Sequence, residues 1–451
     1  MSRPLLDDAL SIWRAGVDAV APERLLAEAI EVDDRELRFV TTRGDEASAA
    51  RDRLGKVYVV GGGKAGAGMA RGLIAALEPL DLGHDRLTGV LSVPAGCEQP
   101  IDPRVKLIAG RPAGVNEPRP AGAAAVGEML SLVGQAGPDD LAIVLLSGGG
   151  SALLPAPIEG VTLEEKTAVA RCLSAAGATI DQLNTVRQHL SRIKGGGLTK
   201  SCRAGRLITL VISDVLGDPL DLIASGPTVP PSSTPADALA VLESLSLIDE
   251  PELANVVRVL REKQTEPFEP TTDATTLLLA NNATAVDAAG VEAERLGYRH
   301  AMHCATASEG FAEPIGAELA QMATSMRDST APDSPNCLIT GGEPTVKLAP
   351  ADMRGKGGRN QQLALAALQK LGDCRGVALV SGGTDGEDGP TDAAGAMIDE
   401  SIAAKLAGAD LADHLARNDA YPLFESADAL LMTGPTHTNV CDLRVVTVGK
   451  S

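Results

Sequence analysis

The segment Val57-Tyr58-Val59-Val60-Gly61-Gly62-Gly63-Lys64-Ala65-Gly66 limits the fold of this chain more than any other. Its apolar, valine-rich start predicts a short buried strand. The strand breaks into glycines, and residues 67–77 behind it read as a helix. Strand, glycine loop and helix make the first half of a βαβ unit, which needs a parallel sheet. Such loops let backbone N–H groups approach phosphate oxygens, and the helix behind them favours negative charge. Lys64 adds a full positive charge inside the loop.

The alternation continues along the chain. Strands are expected at 56–60, 87–93, 141–146 and 207–212, with helices at 121–133, 163–176 and 180–193. A length of 451 residues is long for one domain, so the expected fold class is α/β with two α/β domains. The first is a Rossmann-like parallel sheet with helices on both faces. Proline-rich residues 226–235 are the expected boundary, giving domains 45–230 and 236–451. The second is expected to hold helices at 236–247, 253–263, 283–296, 361–371 and 401–407. Its strands are expected at 276–279, 300–305, 337–340, 345–348, 377–380, 429–432 and 443–448. Leu6, Leu10, Trp13 and Val17 mark one apolar helix face near the N-terminus. Residues 1–44 are compatible with packing on either domain, the second being the expectation.

Charge and composition narrow the function. A formal net charge of −20 disfavours nucleic acid and anionic membranes. No run is long and apolar enough to span a bilayer. The seven cysteines show no C-x-x-C and no zinc spacing, which fits a reducing, cytoplasmic setting. Aromatics are only 2%, so the core must come from Ala, Leu, Val and Ile.

Six predicted strands end in small or polar loops. They run into Gly61–Lys64, Ser147-Gly148-Gly149-Gly150-Ser151, Ser213-Asp214, Gly341-Gly342-Glu343, Ser381–Gly386 and Thr433–Asn439. Ligands of open α/β sheets bind outside the carboxyl ends of strands. With three such loops in each half, a site in the cleft between domains is expected. A nicotinamide dinucleotide would need an acid at the end of the second strand, to hold the ribose. That strand instead ends in Val93-Pro94-Ala95-Gly96, and Glu98 lies past the proline turn. No G-x-x-x-x-G-K-[ST] occurs either.

The remaining candidates are polar. Arg187, Ser191 and Lys194 are spaced to share one helix face, as a cationic surface for an anion. His189 points elsewhere and reads as a packed histidine. Asp214, Asp218 and Asp221 follow a buried strand, where a carboxylate suits Mg²⁺ or a hydroxyl proton. Asp385 and Asp388 repeat that theme. Arg359 opens a helix after glycines, where its planar fork suits phosphate or carboxylate.

Taken together, these motifs resemble the glycerate 2-kinase family, also known under the name hydroxypyruvate reductase. The likeness rests on Gly61–Gly66, 147–154, 184–198, 213–230, 357–361, 384–396 and 433–442, and spans about residues 5 to 449. It implies a C-terminal MOFRL region over about 336–449. It also implies ATP-dependent phosphorylation of D-glycerate at the 2-hydroxyl, with Mg²⁺. The family's active-site lysine and arginine fall on Lys64 and Arg359. Two places depart from its pattern: Gly110-Arg111-Pro112 stands for Gly-His-Pro, and Asn360-Gln361-Gln362 for Asn-Gln-Glu.

On this reading Lys64, Arg359 and the base Asp214 are catalytic. Gly62, Gly63, Ser147, Gly148, Gly149, Gly150, Ser151, Arg187, Lys194, Asn360, Thr384, Asp385 and Thr436 bind nucleotide or substrate, and Asp218 and Asp388 hold the metal. The partners are glycerate and ATP, with no nucleic acid or membrane, in a monomer or homodimer. A reductase using NAD(P)H and a non-catalytic anion-binding protein are the alternatives.

Overall fold

The computed structural model describes residues 4–112, 117–264 and 268–449. The chain forms two compact units, residues 22–279 and residues 1–21 with 280–451.

In the first unit, six strands lie in the order Val105–Arg111, Leu87–Pro94, Val57–Gly62, Leu141–Leu146, Arg206–Ile212, Asp273–Ala280. Counted along the chain, that order is third, second, first, fourth, fifth, sixth. It is the doubly wound order, and it reverses between Val57–Gly62 and Leu141–Leu146. These two pair in parallel, Gly61 opposite Leu145 and Gly62 opposite Leu146. Tyr58 and Val60 turn to a core with Val126 and Met129 of helix Pro120–Gly134. Val57 and Val59 on the opposite face are just as buried, so the sheet is covered on both sides. A three-stranded antiparallel sheet, Ile30–Val32, Glu36–Val40 and Glu46–Ala50, also belongs here.

The proline-rich stretch is not the boundary. Beyond it, helices Pro235–Ser244 and Ala254–Glu262 bury Leu242, Val256 and Leu260 with Val169, Leu173 and Val186 of the preceding helices. Strand Asp273–Ala280 then closes the edge of the first sheet. The proline run turns the chain within a unit, and residues 236–279 stay with the N-terminal sheet.

The second unit holds a mixed sheet, ordered His300–Cys304, Cys337–Gly342, Asp442–Val448, Val377–Gly383, Gly395–Ile398, Leu430–Leu431. Only the first pair is parallel. Helices Ala312–Asp328 and Arg359–Leu371 cover one face. On the other lie helices Leu5–Ala19 and Asn282–Arg295. The expected N-terminal helix thus joins the C-terminal unit, while residues 22–44 belong to the first. Of the strand expected at 345–348, only a bridge between Thr345 and Phe311 forms. No helix among the described residues is long and apolar enough to cross a membrane.

Trp13 fixes the N-terminal helix. It is 1% exposed, and its Nε1 donates to the Leu443 carbonyl at 3.0 Å. Trp13→Ala should destabilise the protein by about 3–5 kcal/mol, as large-to-small core changes do. Urea unfolding of the variant beside wild type measures this.

Candidate active site

At the point where the strand order reverses, two backbones come into direct contact. A Cβ at Gly61 would fall on the Leu145 carbonyl, and one at Gly63 on the Ser147 hydroxyl. Both glycines have positive φ, 139° and 147°. The loop is therefore glycine for want of room, as well as for its torsions.

Its amides are already used. Gly63 N donates to Ser92 O, Lys64 N to Gly148 O at 2.8 Å, and Ala65 N to Ser147 Oγ at 3.0 Å. Gly66 N donates back to Gly63 O. The expected backbone cradle does not form in the Gly62–Gly66 loop, because Ser92, Gly148, Ser147 and the loop's own Gly63 carbonyl occupy its donors. What this loop offers a ligand is the half-buried side chain of Lys64.

The facing loop differs. Among the described residues, the amides of Gly148, Gly149 and Gly150 donate to no protein acceptor. A Cβ at Gly149 would sit 3.2 Å from Arg111 Nη2 and 3.8 Å from Lys64 Cγ. Unclaimed amides and two cations thus converge on one turn. Arg111 comes from the end of strand Val105–Arg111 and is 6% exposed. The sequence marked Arg111 only as a departure from a pattern; the unrecognised strand hid its place. Asp214 follows the neighbouring strand Arg206–Ile212 and is half-buried.

Ser151 leads to the cationic candidates. Helix Ile180–His189 stops before Ser191, so the expected single helix face does not exist. Arg187 and Lys194 nevertheless line one cavity of about 340 Å³, with Lys166, Arg171 and Ser151. Lys194 Nζ donates to Ser151 O at 3.1 Å, Ala224 O at 3.1 Å and Ser225 Oγ at 3.2 Å. These bonds brace a strained turn, since Ala224 and Ser225 have φ of 51° and 62°. His189 is packed as expected: Nε2 meets Ser233 Oγ at 3.1 Å, and burial pushes its pKa down to about 4. Asp218 faces Arg43 at 3.9 Å.

In the second unit, Arg359 starts helix Arg359–Leu371. Its Nε and Nη2 donate to the two Asp442 oxygens at 2.7 and 2.9 Å. Its Nη1 lies 3.0 Å from Glu343. Burial opposes the guanidinium charge, but Asp442 and then Glu343 hold its pKa above the ordinary value. Burial likewise pushes Glu343 up, with Arg359 pulling it down. Asp442 lies opposite both Gly342 and Gly383 in the sheet, which explains its full burial. Glu343 ends one of the six strand-end loops and Asp442 the last motif, but the sequence assigns neither a role.

Several expected ligand contacts are structural instead. Asp388 accepts from the Asn360 and Gln361 amides at 3.0 and 2.9 Å, capping the arginine helix. Gly358 is forced, because a Cβ there would fall on Asp388. Burial pushes the Asp388 carboxyl up to about 7, against those two amide donors. With both oxygens used, Asp388 does not suit a metal. Asn360 is fully buried and accepts from Ser381 Oγ at 2.6 Å. Thr384 Oγ1 donates to Cys441 O at 2.6 Å and accepts from Val440 N at 2.9 Å. Thr436 Oγ1 donates to Thr384 O at 2.5 Å, and Asp385 accepts from the Glu387 amide at 3.1 Å. These residues tie together the loops around Arg359. Among the described residues, no group of three or more His, Cys, Asp or Glu is placed to hold a metal.

Comparison with known proteins agrees with this architecture. Residues 8–261 match the model "Domain of unknown function (DUF4147)", and residues 336–442 match the MOFRL family. A glycerate kinase of Bos taurus is 37% identical, over 98% of this chain and 92% of that protein. The D-glycerate 2-kinase of Thermotoga maritima is 38% identical, over 94% of this chain and 98% of its own length. The chain belongs to the glycerate kinase family. A crystal structure of glycerate kinase from Thermotoga maritima superposes with a TM-score of 0.81 at 34% identity, covering 99% of each chain. Two relatives from Agrobacterium vitis carry the name putative hydroxypyruvate reductase.

Two predictions follow from the local physics. Asp388→Ala should destabilise the second unit by about 0.5–2 kcal/mol through the lost cap, with Asp388→Asn milder; denaturation midpoints test the order. Lys166 Nζ donates to Leu190 O at 3.2 Å, and burial lowers its pKa to about 7 from the ordinary 10.5, with Arg187 and Lys263 adding repulsion. Lys194 also faces it, and Arg171 on the same helix turns to Glu252. Between those two pH values the unfolded chain binds more protons, so stability should rise with pH. Lys166→Met should flatten that rise by up to about 1.4 kcal/mol per pH unit, read from urea unfolding at neutral and alkaline pH.

Proposed function

We propose that this chain phosphorylates D-glycerate at its 2-hydroxyl, with ATP as donor and 2-phosphoglycerate and ADP as products. Membership of the glycerate kinase family over nearly the whole chain carries the reading. The loop geometry supports it. Phosphate oxygens suit the unclaimed amides of Gly148, Gly149 and Gly150 beside Lys64 and Arg111. ATP supplies the phosphoryl group, and the chain's task is to position and neutralise it.

Lys64 neutralises charge on the transferred group. Asp214 is the base that takes the hydroxyl proton. Arg359 has five donors, of which Asp442 takes two and Glu343 one. The two that remain suit a carboxylate or a developing phosphate charge. Mg²⁺ is expected to arrive with the nucleotide, since it is commonly held by phosphates and one or two carboxylates. Neither Asp388 nor a pre-formed cluster is assigned to it.

The reductase alternative lacks support at the ribose position. Glu98, the first acid after the second strand, accepts from the amide of Gly96 in its own turn. A coupled enolase assay of glycerate plus ATP should report 2-phosphoglycerate, because enolase uses only that isomer. Turnover at the nicotinamide band with hydroxypyruvate, and no ADP from glycerate plus ATP, would overturn the proposal. Lys64→Ala and Arg359→Ala should each lower kcat by about 10²–10³-fold, as lost charge-stabilising donors do. Wild-type ADP release by Lys64→Ala would remove Lys64 from the catalytic set, and no ADP above background from wild type would favour a non-catalytic anion binder. A change confined to KM in Arg359→Ala would reduce that residue to binding.

A further inference from the structure

The cavity behind Ser151 has an unusual charge balance for so acidic a chain. Lys166 and Lys194 are 5% and 3% exposed, and Arg187 is half-buried. Among the described residues none of the three forms an ion pair with a carboxylate, and burial lowers the pKa of each, with neighbouring cations adding to the effect on the two lysines. The acids nearby have partners of their own: Glu117, at the cavity wall, pairs with Arg119 at 3.4 Å, and Glu252 with Arg171 at 3.7 Å. Buried cations without an ion-pair partner are costly, and among the described residues these three meet carbonyl and hydroxyl oxygens at most, with no carboxylate.

The three cations are not equivalent. Lys194 has three N–H donors and gives all of them to protein oxygens. Its hydrogens are spent on the protein, and it acts on the cavity through the turn it holds. Lys166 uses one donor, on Leu190 O. Arg187 uses none among the described residues. The cavity therefore presents the guanidinium fork of Arg187 and the amino hydrogens of Lys166 that Leu190 O leaves over. At about 340 Å³ it is at the small end of ligand pockets.

We propose that this cavity is a binding site for a small, multiply charged anion of the carboxylate or phosphomonoester class. Arg187 and Lys166 are its direct contacts, and Lys194 positions the turn that closes it. Binding there is independent of phosphoryl transfer, so its failure and that of the kinase reading are separable.

The test is calorimetric titration of the full chain with inorganic phosphate, glycerate and 2-phosphoglycerate in turn, without nucleotide. Wild type should bind at least one of them. Arg187→Gln should weaken that binding by about 10-fold or more, the size expected for a charged hydrogen bond. The surface variant Arg24→Gln should leave phosphate binding unchanged, and Lys64→Ala should leave the Arg187-dependent part of it unchanged. Binding of phosphate without glycerate assigns the phosphomonoester, and binding of both assigns any small anion. Circular dichroism confirms folding, and Arg187→Lys, which keeps the charge, should recover part of the affinity. No binding by wild type, or undiminished binding by both Arg187→Gln and Lys166→Met, would overturn the site.

Discussion

The backbone of Gly61–Gly63 lies so close to that of Leu145–Ser147 that no side chain fits between them. This contact sits where the strand order reverses, the usual place for a ligand in an open α/β sheet. It has two consequences. The first glycine loop spends its amides on the second, through Ser147 Oγ and Gly148 O. The second loop keeps the amides of Gly148–Gly150 for other partners. The loop that most resembles a phosphate cradle in sequence thus serves as a support. The loop beside it does the presenting, and Lys64 reaches across from the support.

A similar division holds around Arg359. Asp388 holds the start of its helix, Asp442 fixes one edge of its fork, and Glu343 holds part of the other. A bidentate arginine–carboxylate pair is rigid, so the free hydrogens of the guanidinium keep a fixed direction. Electrostatic stabilisation of a transition state depends on such pre-set donors, since none must reorient during reaction. Asp442 is fully buried, which makes it dependent on Arg359 as much as Arg359 is on it.

Much of this was legible in the residues, for identifiable reasons. The valine runs before glycines gave the parallel strands, because buried strands are continuous apolar stretches. Lys64 and Arg359 stood out because a charged residue in a glycine loop has few structural uses. Strand Val105–Arg111 is less uniformly apolar and partly exposed, so it left no such signal, and Arg111 was hidden with it. Proline-rich residues 226–235 have the composition of a linker, yet long-range packing of Leu242, Val256 and Leu260 overrides it. In sequence, Asp388, Asn360 and Thr384 look like ligand groups because caps and ligands draw on the same polar residues. Only their partners tell them apart. Asp442 and Glu343 lie far apart in the chain, and sheet register alone brings them to one arginine.

The overall charge of −20 sharpens the meaning of the cations at the N-terminal site. An acidic surface repels the anions that a glycerate kinase is expected to use, so attraction must be local. Lys64, Arg111, Lys166, Arg187 and Lys194 all belong to one unit, and Ser147–Ser151 links them in a continuous run of contacts. Loss of water strengthens the pull of a cation on an anion, and at the same time disfavours the charged form while the site is empty, as the lowered pKa of Lys166 shows. The repulsion among Lys166, Arg187 and Lys194 is relieved when an anion enters. A cavity built this way favours the charged end of a ligand over its uncharged body. Selectivity among hydroxy acids then has to come from the groups that meet the rest of the molecule.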